Sequence, residues 1–183
     1  MLEVQLRPLT LSDISRVLRW SEDEEFCLAN GWPLGLQRER LEDWFLRLIN
    51  NPPADLIRLG IVVDGGLAGF VDLREVNPLE HRARLRIAIG DPGQRGQGVG
   101  YAAGLKMLEH AFGTLGLGRI TAEVASSNLK MLGLLDKLGF TREGVLRSHE
   151  TRNGVKEDLV LFGMLREEFS PRSVLPLLEA VSG

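Results

Sequence analysis

The order of hydrophobic and polar residues predicts one strand and three helices in the first fifty residues. Residues 3–7 alternate with the period of two that is typical of a half-buried β-strand. Helices are predicted over residues 10–20 and from the acidic run at 21–26 as far as Gly31. The clearest amphipathic helix spans residues 37–49, where large apolar residues recur at spacings of three and four.

Three antiparallel strands are predicted next. Residues 56–63 and 67–74 are two strand-like runs separated by Asp64-Gly65-Gly66, a cluster that is typical of a hairpin turn. After a turn at Asn77-Pro78, residues 81–89 alternate apolar side chains with arginines. Three antiparallel strands therefore precede the glycine-rich segment that follows them.

The second half of the chain alternates helices with strands. Helices are predicted over residues 99–112 and 128–138, and strands over residues 119–124, 140–146 and 155–165. Gly139 is suited to end the second of these helices, and Asn153-Gly154 is predicted to form the turn before the last strand. A short helix is also predicted over residues 174–181.

A glycine-rich segment joins the third antiparallel strand to the helix that begins near residue 99. Gly96, Gly98 and Gly100 allow the main chain to approach a bulky anion closely. The amides of the first helical turn point toward such an anion along the positive end of the helix dipole. The segment is therefore predicted to bind a phosphate group.

Two other phosphate-binding folds are compared with this segment. Residues 98–103 read Gly-x-Gly-x-x-Ala, which is similar to a dinucleotide-binding fingerprint, and Glu123 lies near the distance expected of its ribose-binding acid. That fingerprint directly follows the first strand of a parallel sheet, whereas three antiparallel strands come first here. A Walker loop is excluded because the chain contains no Gly-Lys-Ser or Gly-Lys-Thr.

Composition narrows the class of protein. With 183 residues the chain is predicted to form a single domain. A net charge of −3 disfavours a nucleic-acid partner, and no apolar run approaches the roughly 20 residues of a membrane span. The N-terminal residues do not resemble a signal peptide, so a cytoplasmic location is predicted. The single cysteine, Cys27, and three scattered histidines predict neither a disulfide nor a metal site.

The order of elements and two sequence blocks resemble the GNAT superfamily of acetyl-CoA-dependent N-acetyltransferases. The first block, Arg95-Gly96-Gln97-Gly98-Val99-Gly100, meets the hallmark of Arg or Gln, two residues, Gly, one residue, then Gly or Ala. The second comprises residues 119–124, Asn128 and residues 137–147, and it is similar to the branch of ribosomal-protein N-terminal and spermidine acetyltransferases. The resemblance covers about residues 3–168.

The resemblance implies a mixed α/β (α+β) fold and an acetyl-CoA site. The expected sheet has about seven mostly antiparallel strands flanked by helices, and its fourth and fifth strands splay apart. The expected cofactor-binding residues are Ala88, Ile89, Gly90, Arg95, Gly96, Gln97, Gly98, Val99, Gly100, Tyr101 and Asn128. One main-chain amide of residues 88–90 is expected to polarise the thioester carbonyl, as an oxyanion-hole donor does. Asn128 can also serve as the N-cap of its helix.

The catalytic group implied by the resemblance is Glu150, which matches a proposed general base. The alternative is a solvated carboxylate on a strand. The sequence departs from its relatives at two positions, where Met131 and Leu135 stand in place of a serine and a tyrosine that could protonate the leaving thiolate. A thiol pKa near 8.5 allows the thiolate to leave without a dedicated acid. Tyr101 is interpreted as a CoA contact.

The acceptor is predicted to be a primary amine, namely a protein N-terminus, a polyamine or another small amine. Six residues of the first helices suggest an acidic and aromatic wall that would suit a cationic amine, namely Glu22, Asp23, Glu24, Glu25, Trp32 and Trp44. The alternative is a solvated helix face. A CoA-binding module without catalysis is the alternative to an enzyme, and a homodimer is an alternative to a monomer.

Overall fold

The computed structural model describes residues 3–152 and 154–170. The helix predicted over residues 174–181 lies outside the described residues, as does Asn153 of the turn predicted before the last strand. Gly154, the other residue of that turn, has a φ of 79°, a value that glycine adopts readily.

A seven-stranded mixed sheet forms the centre of the fold, in the order β1-β2-β3-β4-β5-β7-β6. Its strands are β1 (Val4–Pro8), β2 (Ile57–Val63), β3 (Gly66–Asn77), β4 (Arg82–Ile89), β5 (Arg119–Ala125), β6 (Thr141–Arg152) and β7 (Val155–Leu165). Neighbouring strands are antiparallel except for the β4 and β5 pair. The predicted mixed, mostly antiparallel sheet is confirmed.

Helices cover both faces of this sheet. They are α1 (Ile14–Trp20), α2 (Glu24–Asn30), α3 (Arg38–Asn50), α4 (Val99–Glu109) and α5 (Leu129–Leu138). Apolar residues of α4 and α5 form the larger core with one face of the sheet. Residues of α1, α2 and α3 form a second cluster with Phe70 and Ala88 on the opposite face, because consecutive residues of a strand point to opposite sides.

Strands β4 and β5 diverge after a short paired stretch. They pair only where residues 82–84 lie beside residues 119–121. Residues 85–89 of β4 have no strand partner on this side within the described chain, while β5 continues along β7 as far as Ala125. The expected splay is confirmed, and it leaves a gap at the centre of the sheet.

Strand β6 extends further than its hydrophobic pattern indicated. The pattern predicted a strand over residues 140–146, whereas β6 continues to Arg152. Its pairing with β7 is irregular between Leu146 and Glu150, and Ser148 has a φ of 50°. The Ser148 amide donates to Asp158 Oδ1 at 2.8 Å. This bulge interrupts the period of two, which explains why the sequence pattern ends early.

Candidate active site

The gap between β4 and β5 opens into a cleft of about 880 Å³. Residues of β4, β5, α2, α5 and the glycine-rich loop line it, and Glu150 and Arg152 reach it from β6. Of the predicted loop residues, five line this space together with Glu150, namely Arg95, Gly96, Gly98, Gly100 and Tyr101. Gln97 and Val99 are not part of the lining, and Val99 is buried.

The glycine-rich loop is a cradle of main-chain amides, formed by residues 96–101. Gly96 and Gly98 have φ values of 75° and 83°, which strongly favour glycine. Gly98 is the N-cap of α4, so the helix begins at Val99 and directs its positive dipole end into the cradle. Within the described residues, the amides of residues 96–100 have no main-chain or side-chain acceptor. Such amides are ready to bind an anion.

Close packing of α4 fixes the position of the cradle. A Cβ atom on Gly100 would lie 3.2 Å from Leu134 of α5, and one on Gly104 would lie 2.8 Å from Leu138. Glycine at both positions allows α4 to lie against α5 and β4. Gly104 was not among the predicted site residues, since a glycine inside a helix is also consistent with simple tolerance.

The main chain of β4 supplies donors along the gap. The Gly90 amide donates to the Ala68 carbonyl of β3 at 2.9 Å. In an antiparallel pair the amides of alternate residues point the same way, so the amides of Ile87 and Ile89 point away from β3 and toward the gap. Among residues 88–90, Ile89 is thus the one whose amide faces the cleft. Gly90 also has no room for a Cβ atom, because the Trp20 indole packs against it.

The Arg95 side chain binds protein acceptors. Its guanidinium donates to the carbonyl oxygens of Ile89 and Gly90, each at 3.1 Å. It also forms ion pairs with Asp23 at 2.6 Å and Glu25 at 3.4 Å. These contacts connect α2 to the cradle, whereas the family resemblance implied that Arg95 binds the cofactor.

Asn128 and Tyr101 flank the cleft from the two helices. Asn128 caps α5 by accepting a hydrogen bond from the Met131 amide at 3.1 Å, and its Nδ2 lies 3.5 Å from the Ala29 carbonyl of α2. The capping role is confirmed. Tyr101 is half-buried against the larger core, and burial raises the pKa of its phenol. Leu135 is fully buried.

The C-terminal end of α2 lies over the gap, where its carbonyl oxygens accept from Asn128, Arg152 and Arg86. Arg152 Nη1 donates to the Leu28 carbonyl at 2.9 Å, and Arg86 of β4 donates to the Asn30 carbonyl. Cations at a helix C-terminus interact favourably with its dipole. The hydrophobic pattern indicates a role for neither arginine, because Arg86 occupies a polar position of an alternating strand and Arg152 lies beyond the β6 bulge.

Glu150 lies at the edge of the same cleft. Its Oε2 accepts from Arg152 at 2.8 and 2.9 Å. The two hydrogen bonds from one guanidinium hold this carboxylate in a fixed orientation.

A comparison with protein-family models matches residues 3–141 to the "Acetyltransferase (GNAT) domain". The chain belongs to this family. The GNAT domain thus accounts for the splayed strands, the glycine cradle and the helices on both faces of the sheet.

Named relatives of this GNAT domain include acetyltransferases from two bacteria. The chain is 31% identical over 118 residues to the "Putative ribosomal N-acetyltransferase YdaF" of Bacillus subtilis, covering 63% of this chain and 64% of that protein. It is 29% identical over 112 residues to the spermidine N(1)-acetyltransferase of Escherichia coli K12, covering 61% of this chain and 60% of that enzyme. The matched region thus spans less than two thirds of each relative.

A solved structure has the same fold. It is the crystal structure of spermidine N-acetyltransferase from Vibrio cholerae in complex with CoA and spermine. Its TM-score is 0.80 over 90% of this chain and 96% of that chain, at 23% sequence identity.

The acidic and aromatic wall expected in this GNAT domain does not form along the cleft. Of its six residues, only Glu25 is part of the cleft lining. Asp23 and Glu25 are paired with Arg95, and Glu25 also binds Lys130 at 2.5 Å. Lys130, with a smaller contribution from Arg95, lowers the pKa of Glu25. Trp32 packs in the second core cluster and contacts Trp44 edge to face, with ring centroids 5.8 Å apart.

Residues 3–152 and 154–170 were also compared with the requirements of a metal site, a nucleophilic cysteine and a membrane-spanning helix. No group of three or more histidine, cysteine, aspartate or glutamate residues is arranged for a metal ion there. Cys27 is buried, and burial raises the pKa of its thiol, which disfavours a nucleophilic role. In this part of the chain no helix is both long and apolar enough to cross a bilayer. The cytoplasmic location and the homodimer stay predictions.

Proposed function

We propose that this protein transfers an acetyl group from acetyl-CoA to a primary amine by direct attack. The observation that carries the proposal is the gap beside β4, which leads into the cradle, where the amides of residues 96–100 have no acceptor among the described residues. An added strand-like ligand fits such a gap, and a phosphate fits such a cradle.

Each end of CoA has a matching part of the cleft. The amides of residues 96–101 would hold the pyrophosphate, and the inward-facing amides of Ile87 and Ile89 would pair with the pantetheine arm. The Ile89 amide is suited to donate to the thioester carbonyl oxygen. A fixed donor at this position stabilises negative charge that develops on the oxygen during attack.

Glu150 is proposed as the general base. An amine is protonated at neutral pH and must lose a proton before it can attack. The ion pair with Arg152 fixes the orientation of the Glu150 carboxylate at the cleft. The carboxylate would accept the proton from the amine, directly or through one water molecule.

The departing thiolate has no serine or tyrosine at the positions where relatives of this branch have them. Met131 packs partly buried against the core, and Leu135 is completely buried. A thiolate with an ordinary pKa near 8.5 is a fair leaving group, so solvent is proposed to supply its proton. Tyr101 is proposed to contact CoA at the mouth of the cradle.

An acceptor screen tests the proposal. Purified protein is supplied with acetyl-CoA and a panel of amines, and release of the CoA thiol is followed while calorimetry measures CoA binding. Acceptor-dependent release supports the enzyme. Tight CoA binding without release for any amine would identify a binding module, and absence of CoA binding would overturn the cradle assignment as well.

A further inference from the structure

A row of charged side chains crosses the face of the sheet that α1, α2 and α3 cover. Arg58 of β2, Asp72 of β3 and Arg86 of β4 lie directly opposite one another. They share this face with Phe70 and Ala88, which contact the second core cluster. A buried sheet face that carries charge is unusual, because unpaired charges are costly to bury.

Most charges of this region are paired. Arg58 binds Asp72 through its Nε at 2.6 Å, and the side chains of this pair are 7% and 0% exposed. Arg84 binds Glu75 and Glu123, each at 3.0 Å. Glu150 is bound by Arg152, as described above. Each of the carboxylates in this region is therefore already paired with an arginine, namely Asp72, Glu75, Glu123 and Glu150.

Two arginines remain without a carboxylate partner in the described chain, Arg74 and Arg86, and both line the cleft. Arg74 lies opposite Arg84, so its cross-strand neighbour has the same charge. Arg86 uses its side chain to bind one acceptor, the Asn30 carbonyl, although a guanidinium has five donor hydrogens. The buried Nε of Arg84 also has no acceptor among the described residues. The cleft therefore contains guanidinium N–H groups that have no acceptor among the described residues.

The electrostatic surroundings of Arg86 agree with this count. Burial lowers the pKa of Arg86 to about 10, Asp72 opposes that change, and Arg74, Arg58 and Arg152 add to it by repulsion. The guanidinium stays charged at neutral pH. An anion beside it would offset both burial and the repulsion of its neighbours.

These arginines lie away from the cradle. Arg86 precedes Gly90 by four residues, and a strand rises about 3.3 Å per residue, so about 13 Å of strand separates the two positions. Arg74 is opposite Arg84, still further from the cradle. Their spare donors therefore face the part of the cleft that the CoA pyrophosphate does not occupy.

We propose that the acceptor is a primary amine that carries a carboxylate, which Arg86 and Arg74 bind in the cleft. The inference rests on the proposed acetyl transfer. Guanidinium groups recognise carboxylates by paired, charge-assisted hydrogen bonds. The same cations repel a polyamine, so this site differs in charge preference from a site for spermine, the ligand of the Vibrio cholerae structure.

The experiment compares sets of amines that differ only in the distal group. One set contains 4-aminobutanoate, 4-aminobutanamide and 1,4-diaminobutane, and a second set contains α-amino acids with their amides. Acetylation is followed by release of the CoA thiol. In the set that contains the better substrate, we expect kcat/KM for the carboxylate acceptor to exceed that of its amide by about tenfold or more. We expect kcat/KM for the diamine to be the lowest.

Variants connect the preference to the two arginines. Arg86→Gln and Arg74→Gln should each raise KM for the carboxylate acceptor, reduce its advantage over the amide, and leave CoA affinity unchanged, whereas Arg86→Lys should retain part of the advantage. Arg82→Gln is the matched control, because Arg82 is on the same strand, pairs with exposed Glu80 and lies outside the cleft lining. Arg74 is exposed, so its variant is expected to fold even if Arg86→Gln does not.

Two failures can be told apart. If no amine in the panel causes thiol release, the proposed transferase activity is overturned. If amines are acetylated but the amides or the diamine are preferred, or if both glutamine variants keep the wild-type preference, only the carboxylate site is overturned.

Discussion

The two faces of the central sheet present polar groups in different ways. The face toward α4 and α5 is apolar, and beside it the groups available to a ligand are main-chain amides of β4 and the cradle. The face toward α1, α2 and α3 presents charged side chains, several of them paired. A site made of main chain depends on backbone conformation, whereas a site made of side chains depends on which charges are left unpaired.

The most buried ion pair of the charged face is that of Arg58 and Asp72, and its loss should have the largest effect on stability. Asp72→Asn should lower the free energy of unfolding by about 3 kcal/mol, because the Arg58 charge would stay buried without a counter-charge. Chemical denaturation measures the loss. Glu42→Gln is the control, since the Arg38–Glu42 pair is exposed and its loss should cost about 0.5 kcal/mol or less. Equal losses for the two variants would contradict the difference drawn between buried and exposed pairs.

The next effect concerns chemistry at the edge of the charged face. Glu150→Gln should lower kcat by about 100-fold, because the amide cannot take a proton from the acceptor amine. The fall in rate at acid pH that protonation of the base would cause should disappear in the variant. Initial rates of both proteins are measured from about pH 5 to about pH 9. CoA affinity is measured by calorimetry and is expected to be the same for both.

A matched control for this variant lies directly across the strand pair. Glu157 is opposite Glu150 and accepts from Ser127 at 2.8 Å, but it is not part of the cleft lining. Glu157→Gln should leave the pH profile unchanged. A Glu150→Gln variant with the wild-type profile would remove Glu150 from the role of base.

A negative charge placed at the cradle should weaken the binding of CoA. Gly98→Asp should weaken CoA binding by about 30-fold, since a carboxylate at the N-cap of α4 repels the pyrophosphate. Gly98→Asn is nearly the same shape without the charge. A Cβ at Gly98 meets nothing within 4 Å, and both residues tolerate a positive φ and cap helices. Both variants should therefore fold, and calorimetry should show a clearly smaller loss for Asn. Equal affinities for Asp and Asn would show that no phosphate lies at the cradle.

The main-chain half of the site could be predicted from sequence because its requirements are local. Gly96 and Gly98 need positive φ values, and the helix that follows them is recognisable from its pattern. The strand order supported the same interpretation, since three antiparallel strands before the loop argued against a dinucleotide fold. What remained hidden was Gly104, whose need for glycine arises from contact with Leu138.

The side-chain half could not be predicted to the same degree, because its roles depend on partners distant in sequence. Asp23 and Glu25 suggested a wall for a cationic amine. Both carboxylates instead pair with Arg95, which is distant from them in the sequence. Arg86 was interpreted as a polar strand position, and only the fold shows that it lies under the end of α2 with no carboxylate partner among the described residues. The β6 bulge likewise ends the hydrophobic pattern at Leu146, so Glu150 was identified only through the family resemblance and Arg152 was given no role.

The Asp23–Arg95 ion pair connects α2 to the cradle, and its side chains are 23% and 18% exposed. Its loss should have a smaller effect on stability than loss of the buried Arg58–Asp72 pair. Asp23→Asn keeps a good N-cap for α2 but removes the charge, so the free energy of unfolding should fall by about 0.5–1 kcal/mol at neutral pH. Burial favours the neutral acid, yet the hydrogen bonds from the Phe26 amide and Arg95 outweigh it and lower the pKa of Asp23 below its ordinary value of 3.8. Since the folded state has the lower pKa, the wild-type advantage is full above that ordinary value and is lost as the pH falls through the folded pKa. Denaturation of both proteins from neutral to strongly acid pH should give curves that converge only in acid. A constant difference at every pH would mean that the Asp23 charge does not stabilise the link between α2 and the cradle.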